Sequence, residues 1–169
     1  MTPLWATAAA HAAGIDPAAI AEGLRGFEGV PHRLELVGDI GGVRFVNDSK
    51  ATNPEAAEQA LTAYPPGLRL ILGGSIKGSS FDGLARAARE RGVARAYLIG
   101  ESADEIAEAL NRAGVAFTHA GDLERAVGQA LSDAEPGDVV LLSPACASYD
   151  QFENFEERGA RFRAIVGTL

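Results

Sequence analysis

Three short stretches of this chain gather the residue types that handle anions. The first is Asn47-Asp48-Ser49-Lys50-Ala51-Thr52-Asn53-Pro54, a carboxylate, a lysine and two hydroxyls just ahead of a predicted helix. Asp, Ser, Thr and Asn all cap helices. Capping alone does not call for Lys50, because a cation at the positive end of a helix is mildly disfavoured. An arriving anion that shares the ammonium would account for it. The second stretch is Gly73-Gly74-Ser75-Ile76-Lys77-Gly78-Ser79-Ser80. Its lysine, framed by glycines, suits a carboxylate or phosphate, although a flexible connection with Ser80 capping the next helix reads equally well. It is not a nucleotide P-loop, which needs Gly-Lys-Ser/Thr in that order, whereas Lys77 precedes Gly78. The third stretch runs from Ser143 to Gly159, after the apolar run Val139-Val140-Leu141-Leu142 and into a terminal helix. A small-residue loop there lets a ligand approach the backbone, and a helix start offers it free N–H groups.

Few other groups compete for a chemical role. His32 stands beside Arg33 and could orient a ligand, while His11 and His119 look incidental. No His/Asp/Glu spacing matches a metal site. Cys146 has no histidine near it in sequence, so it reads as a buried small residue and not as a thiol nucleophile. Glu153, Glu156 and Glu157, with Arg158 and Arg161, read as a solvated, salt-bridged helix face.

The elements that must position these loops alternate along the chain. Leu34–Val37 and Val43–Val46 form a predicted hairpin through Gly41-Gly42. A helix over 54–63 follows, with Pro54 in its first turn. Strands over 68–72, 96–99, 116–118 and 139–142 then alternate with helices over 81–90, 103–112 and 123–131, before the terminal helix. Near-continuous apolar strands imply a sheet covered on both faces, the mark of an α/β fold with a mostly parallel sheet of about six strands and one antiparallel edge hairpin. Such a sheet gathers its βα loops at one edge, where ligands bind. Ahead of it, Ala6–Ala13 and a helix from the Asp16-Pro17 cap to Leu24 make a short helical segment, with an apolar face of Leu4, Ala8, Ile15, Ile20 and Leu24.

The chain has 169 residues, 47% of them hydrophobic and 22% charged, which suits one domain with a small appendage. A net charge of -8, with no Lys/Arg cluster, argues against a nucleic-acid surface. No run approaches the roughly 20 apolar residues of a membrane span. A single cysteine fits a reducing cytoplasm.

Taken together, Pro31-His32-Arg33-Leu34-Glu35, Asn47–Asn53, Leu72–Gly78 and Ser143–Gly159 are similar in order and spacing to motifs of the Mur ligase family's carboxy-terminal domain. The Ser143 motif resembles the branch that adds D-glutamate to UDP-N-acetylmuramoyl-L-alanine. The Asn-Pro-Arg type motif of the diaminopimelate- and lysine-adding branches is absent. The resemblance covers residues 17–167. It implies a Rossmann-like amino-acid-binding domain over 31–169, with 1–30 the helical tail of a central ATP-binding domain that the chain lacks.

The activity implied is an ATP- and Mg2+-dependent amide ligation through an acyl phosphate, with the chain inactive by itself. The resemblance gives Lys50 the acyl phosphate, Arg33 and Asp48 the nucleotide, and Thr52 and Lys77 the D-glutamate side-chain carboxylate. Ser148 and the backbone of Phe155 would take the α-carboxylate. No metal ligand is assigned, and a monomer is expected. A folylpolyglutamate-synthase-like ligase domain and a non-catalytic α/β binding module remain as alternatives.

Overall fold

In the computed structural model, which describes residues 2–27, 29–75 and 78–169, the chain divides into two compact units, 1–30 and 31–169. The first holds α1 (Thr2–Ala12) and α2 (Pro17–Arg25). Asp16 caps α2 by accepting from the Ala18 N–H at 3.0 Å, and Pro17 occupies the first turn, where its missing N–H costs nothing. Leu4, Trp5, Ile15 and Phe27 are exposed, and α2 has no buried residue.

The second unit is a six-stranded sheet flanked by five helices. Its elements are β1 (Glu35–Ile40), β2 (Val43–Asn47), α3 (Pro54–Leu61), β3 (Arg69–Gly73), α4 (Asp82–Glu90) and β4 (Arg95–Ile99). They continue with α5 (Ala103–Ala113), β5 (Phe117–Gly121), α6 (Leu123–Ser132), β6 (Val139–Leu142) and α7 (Phe155–Val166). The strand order is β1-β2-β6-β3-β4-β5, antiparallel between β1 and β2 and parallel elsewhere. The mostly parallel α/β sheet with one antiparallel edge pair is the architecture expected from the sequence. The hairpin turns through Gly41 (φ 61°) and Gly42 (φ 84°), two consecutive left-handed positions of the kind a two-residue turn requires.

Side chains alternate between two cores. Leu70, Leu72, Ala96, Leu98, Val139 and Leu141 face one side, where Leu61, Leu84, Ala88, Ile106 and Leu110 of α3, α4 and α5 cover them. Ile71, Tyr97, Ile99, Val140 and Leu142 face the other, under Leu123, Val127, Phe162 and Val166 of α6 and α7. With both faces covered, the central strands can be apolar throughout, and β6 is buried at every position.

The chain order of the strands decides what meets at the site. β6 returns last and inserts between β2 and β3, so the loops after β2, β3 and β6 become neighbours at the carboxyl edge. The Asp48 N–H donates to the Leu142 carbonyl at 2.7 Å, and the Gly73 N–H to the Pro144 carbonyl at 2.8 Å. Ser75 and Ala147 form an antiparallel bridge between the second and third loops. Gly74 (φ 148°) passes so close to the Ala147 carbonyl that a Cβ would overlap it, which makes glycine obligatory there.

The helix after Ser148 begins later than its sequence suggests. The Ser148 carbonyl accepts from the N–H groups of Gln151 (3.1 Å) and Phe152 (2.8 Å), which closes a turn. The Asn154 side chain then caps α7 by accepting from Glu157 at 2.8 Å.

Leu70 and Ile71 are neighbours on β3 that point into opposite cores, both 0% exposed. Leu70→Ala and Ile71→Ala in the 31–169 segment should each lower stability by about 2–5 kcal/mol. Both should leave one shared cooperative urea transition. Two separate transitions in either variant would show that the cores fold independently.

Candidate functional site

Asp48 leaves the end of β2 and turns inward. Its carboxylate accepts from the Ser143 hydroxyl (2.8 Å) and the Leu34 N–H (3.2 Å), which ties the first loop to the third and to the start of β1. Burial pushes this carboxyl's pKa upward, against those two bonds and the nearby Arg33 charge. Arg33 itself is exposed. Lys50 is exposed two residues on, its N–H donating to the His32 carbonyl at 3.1 Å. Its ammonium lies over the Phe155 ring, 4.8 Å from the centroid. It forms no ion pair with a carboxylate among the described residues.

Beneath these loops lies a cation that periodicity had placed in solvent. Arg158, in the first turns of α7, is 0% exposed. Its Nε donates to the Ser49 hydroxyl (2.9 Å), and one Nη to the carbonyls of Ser49 (2.9 Å) and Cys146 (3.1 Å). The Ser49 hydroxyl itself donates to the Phe155 carbonyl at 2.7 Å. The other terminal nitrogen, Nη1, is buried without an acceptor among the described residues. Burial pushes the pKa of this guanidinium down to about 10, so it stays charged at neutral pH. The expected solvated face is therefore wrong at Arg158. Arg161 does fit it, pairing with Glu124 at the surface.

The third loop supplies uncommitted donors. Ser148 is a buried residue, and neither its hydroxyl nor the Phe155 N–H at the start of α7 makes a hydrogen bond to the described residues. A cavity of about 130 Å³ joins all three loops, lined by Thr52 and Asn53, Ser75, Ser79 and Phe81, and Ala145 and Cys146. Lys77 lies outside the described residues. The N-cap of α4 is Phe81, without a side-chain cap, so the expected Ser80 cap is not formed; Ser80 stands one residue earlier, its hydroxyl accepting from the Asp82 N–H at 3.3 Å. The Cys146 thiol is buried beside the Ser102 hydroxyl at 3.2 Å, and burial raises its pKa, so the thiolate needed for nucleophilic attack is suppressed.

A polar cluster braces the site from behind. His32 holds a left-handed backbone (φ 62°), and its Nδ1 faces the Asn47 amide nitrogen at 3.1 Å. Glu35 accepts from the His32 N–H (2.8 Å), from Asn47 (3.2 Å) and from Arg163 (3.2 Å). Burial alone would raise the Glu35 carboxyl, but the His32 N–H and the Arg163 guanidinium outweigh it and lower its pKa. The imidazole packs against Gly159, where any Cβ would overlap the ring. It meets the Phe155 ring edge to face, with centroids 6.1 Å apart at 85°. Burial and the Arg163 charge lower the His32 pKa, against pulls from Glu35 and Glu156, so at neutral pH the ring accepts from Asn47.

The sequence of the "Mur ligase, glutamate ligase domain" family matches residues 32–146, which span the sheet and its first two loops. The chain belongs to that family. The UDP-N-acetylmuramoylalanine–D-glutamate ligase of Sphingopyxis alaskensis is 50% identical over 169 residues, covering 97% of this chain and 38% of that protein. The enzyme of the same name from Acidobacterium capsulatum is 49% identical, covering 96% and 35%. The chain thus spans little more than a third of the length of these relatives. Two solved structures share the fold. The UDP-N-acetylmuramate-alanine ligase of Thermotoga maritima aligns with a TM-score of 0.67 at 15% identity, over 98% of this chain and 37% of that one. The bifunctional folylpolyglutamate synthase/dihydrofolate synthase of Yersinia pestis aligns at 0.65 and 25%, over 90% and 35%.

For a Mur ligase glutamate ligase domain the division of chemistry is informative. Among the described residues no group of three or more His, Cys, Asp or Glu is placed to hold a metal ion by itself. The donors present suit anionic oxygens instead. Sequence reasoning missed Arg158 and the Asn47–Glu35–Arg163 brace; the signal available was that Arg158 sits one helical turn after the Asn154 cap, pointing back under its own loop.

Two outcomes follow for this site. Arg158→Lys and Arg158→Met should both destabilise the domain by at least about 2 kcal/mol in urea unfolding, because either leaves buried carbonyls without donors. A near-neutral lysine variant would show that charge matters here and fork geometry does not. For His32, the folded state binds the proton less tightly than the unfolded chain. The stability held by its neutral ring is therefore fully present above the unfolded pKa near 6.5 and lost as pH falls below it. His32→Gln should flatten the fall in melting temperature between about pH 6.5 and pH 5; an unchanged slope would place the titrating group elsewhere.

Proposed function

We propose that this chain is the amino-acid-binding domain of an ATP-dependent ligase that joins D-glutamate to UDP-N-acetylmuramoyl-L-alanine through an acyl phosphate. One observation carries the reading: two of the three converging loops present a lysine, the Ser148 hydroxyl and a helix-start N–H, none engaged by a carboxylate of the described residues. Such donors suit a ligand that brings its own carboxylates. The names of the relatives at about 50% identity favour D-glutamate over a folate as that ligand.

In this reading Ser148 and the Phe155 N–H hold the α-carboxylate at the positive end of α7. Thr52, on the wall of the cavity, and Lys77 hold the side-chain carboxylate. Two anchored ends fix where the amine points, which is how one enantiomer is selected. Lys50 offsets the negative charge that grows on the acyl phosphate oxygens as the amine adds and phosphate leaves. Arg33 and Asp48 meet the nucleotide. ATP phosphates, Mg2+ and the UDP-sugar would be held by the part of the relatives' length that this chain does not span. Residues 1–30 would be the tail of that nucleotide-binding part. A monomeric, cytoplasmic enzyme completes the proposal.

The test is steady-state kinetics on the intact ligase. Lys50→Ala should lower kcat about 10²–10³-fold, the loss typical of removing one preorganised oxyanion donor. Ser148→Ala should raise KM for D-glutamate about tenfold and leave KM for ATP nearly unchanged. A Ser148 variant that raises KM for ATP and spares D-glutamate would show that the pocket is misassigned.

A further inference from the structure

The Lys50 ammonium is held by a ring and not by a carboxylate. Its Nζ sits 4.8 Å from the centroid of Phe155, within the range in which the ring quadrupole attracts a cation. A carboxylate would hold Lys50 more tightly but would cancel much of the charge the reaction needs. An aromatic face restrains the ammonium and leaves its full charge available. The ring is itself restrained, because His32 meets it edge to face at 6.1 Å. The imidazole is locked in turn by Asn47 and by Gly159, where no side chain would fit. The His32 carbonyl also accepts the Lys50 N–H at 3.1 Å, so one residue fixes both the base of the lysine and the ring under its tip.

We propose that the Phe155 side chain is the positioning residue for Lys50, separate from the role of its backbone N–H. This rests on the ligase reading above. The two halves of Phe155 then serve the two reacting partners. Its N–H faces the amino acid, and its ring sets where the lysine charge stands.

The experiment is a kinetic series in the intact ligase: Phe155→Leu and Phe155→Met, which keep volume and the backbone N–H, against Phe155→Tyr, which keeps an aromatic face. The nonaromatic variants should lose about tenfold in kcat, the scale of one partly desolvated cation–π contact, with KM for D-glutamate within about twofold. Phe155→Tyr should recover most of that turnover. In a Lys50→Ala background Phe155→Leu should cost nothing further, because the interaction it removes is already gone.

Unchanged turnover in both nonaromatic variants would overturn the proposal. So would the same tenfold loss with Lys50 absent, since that would make Phe155 a packing residue only. Failure of the unmutated intact protein to join D-glutamate in the presence of ATP would instead sink the ligase reading, a result distinguishable because it involves no Phe155 variant. Normal turnover of Lys50→Ala would remove Lys50 from the mechanism and overturn this proposal with it.

Discussion

The carboxyl edge of the sheet is held together by a guanidinium that reaches backbone otherwise far apart. Arg158 bonds Ser49, 109 residues away in sequence, and Cys146, 12 residues away, from one planar fork. Those acceptors lie on the loops after β2 and β6, and the fork itself stands on α7, so three segments share one donor set. A lysine could not reproduce this, because a point ammonium lacks the fixed geometry of two nitrogens on one plane. Keeping this charge buried costs stability, which is visible in its depressed pKa of about 10. What the cost secures is a common register for the loops that carry Lys50, Ser148 and Phe155.

The electrostatics above that anchor run in one direction. A buried positive charge without a bonded carboxylate, the amino end of α7 and the exposed Lys50 and Arg33 all raise the potential at the same edge, in a chain whose net charge is -8. Three of the nearby acids are already hydrogen-bonded. Asp48 is spent on Ser143 and Leu34, Glu35 on His32 and Arg163, and Glu157 on the Glu153 N–H. An anion arriving at this edge therefore meets donors several of whose acidic neighbours are already engaged.

Most of the framework was legible in the sequence because its signals are local. Apolar runs such as Val139–Leu142 mark strands covered on both sides, and Asp16-Pro17 and Asn53-Pro54 mark helix starts that the structure caps through Ala18 and Ala56. The hairpin followed from two adjacent glycines. The anchoring chemistry was hidden because it is long-range. Arg158 has glutamates on one side and Arg161 beyond, the pattern of a solvated helix face, and only the insertion of β6 between β2 and β3 buries it. The late start of α7 was hidden for a related reason, since the turn at Ser148 looks like a first helical turn in sequence. His32 was noticed for its neighbour Arg33, yet its ring works toward Asn47, Gly159 and Phe155.

The central claim is that this edge of the sheet is a D-glutamate site built from the first and third loops. Nuclear magnetic resonance titration of the isotope-labelled chain with D-glutamate, and separately with L-glutamate, tests it without requiring catalysis. The account predicts that D-glutamate shifts the backbone amides of Lys50, Thr52, Ser148 and Phe155, and that L-glutamate shifts them less at equal concentration. Shifts of equal size from both enantiomers, or shifts centred away from these loops, would contradict it.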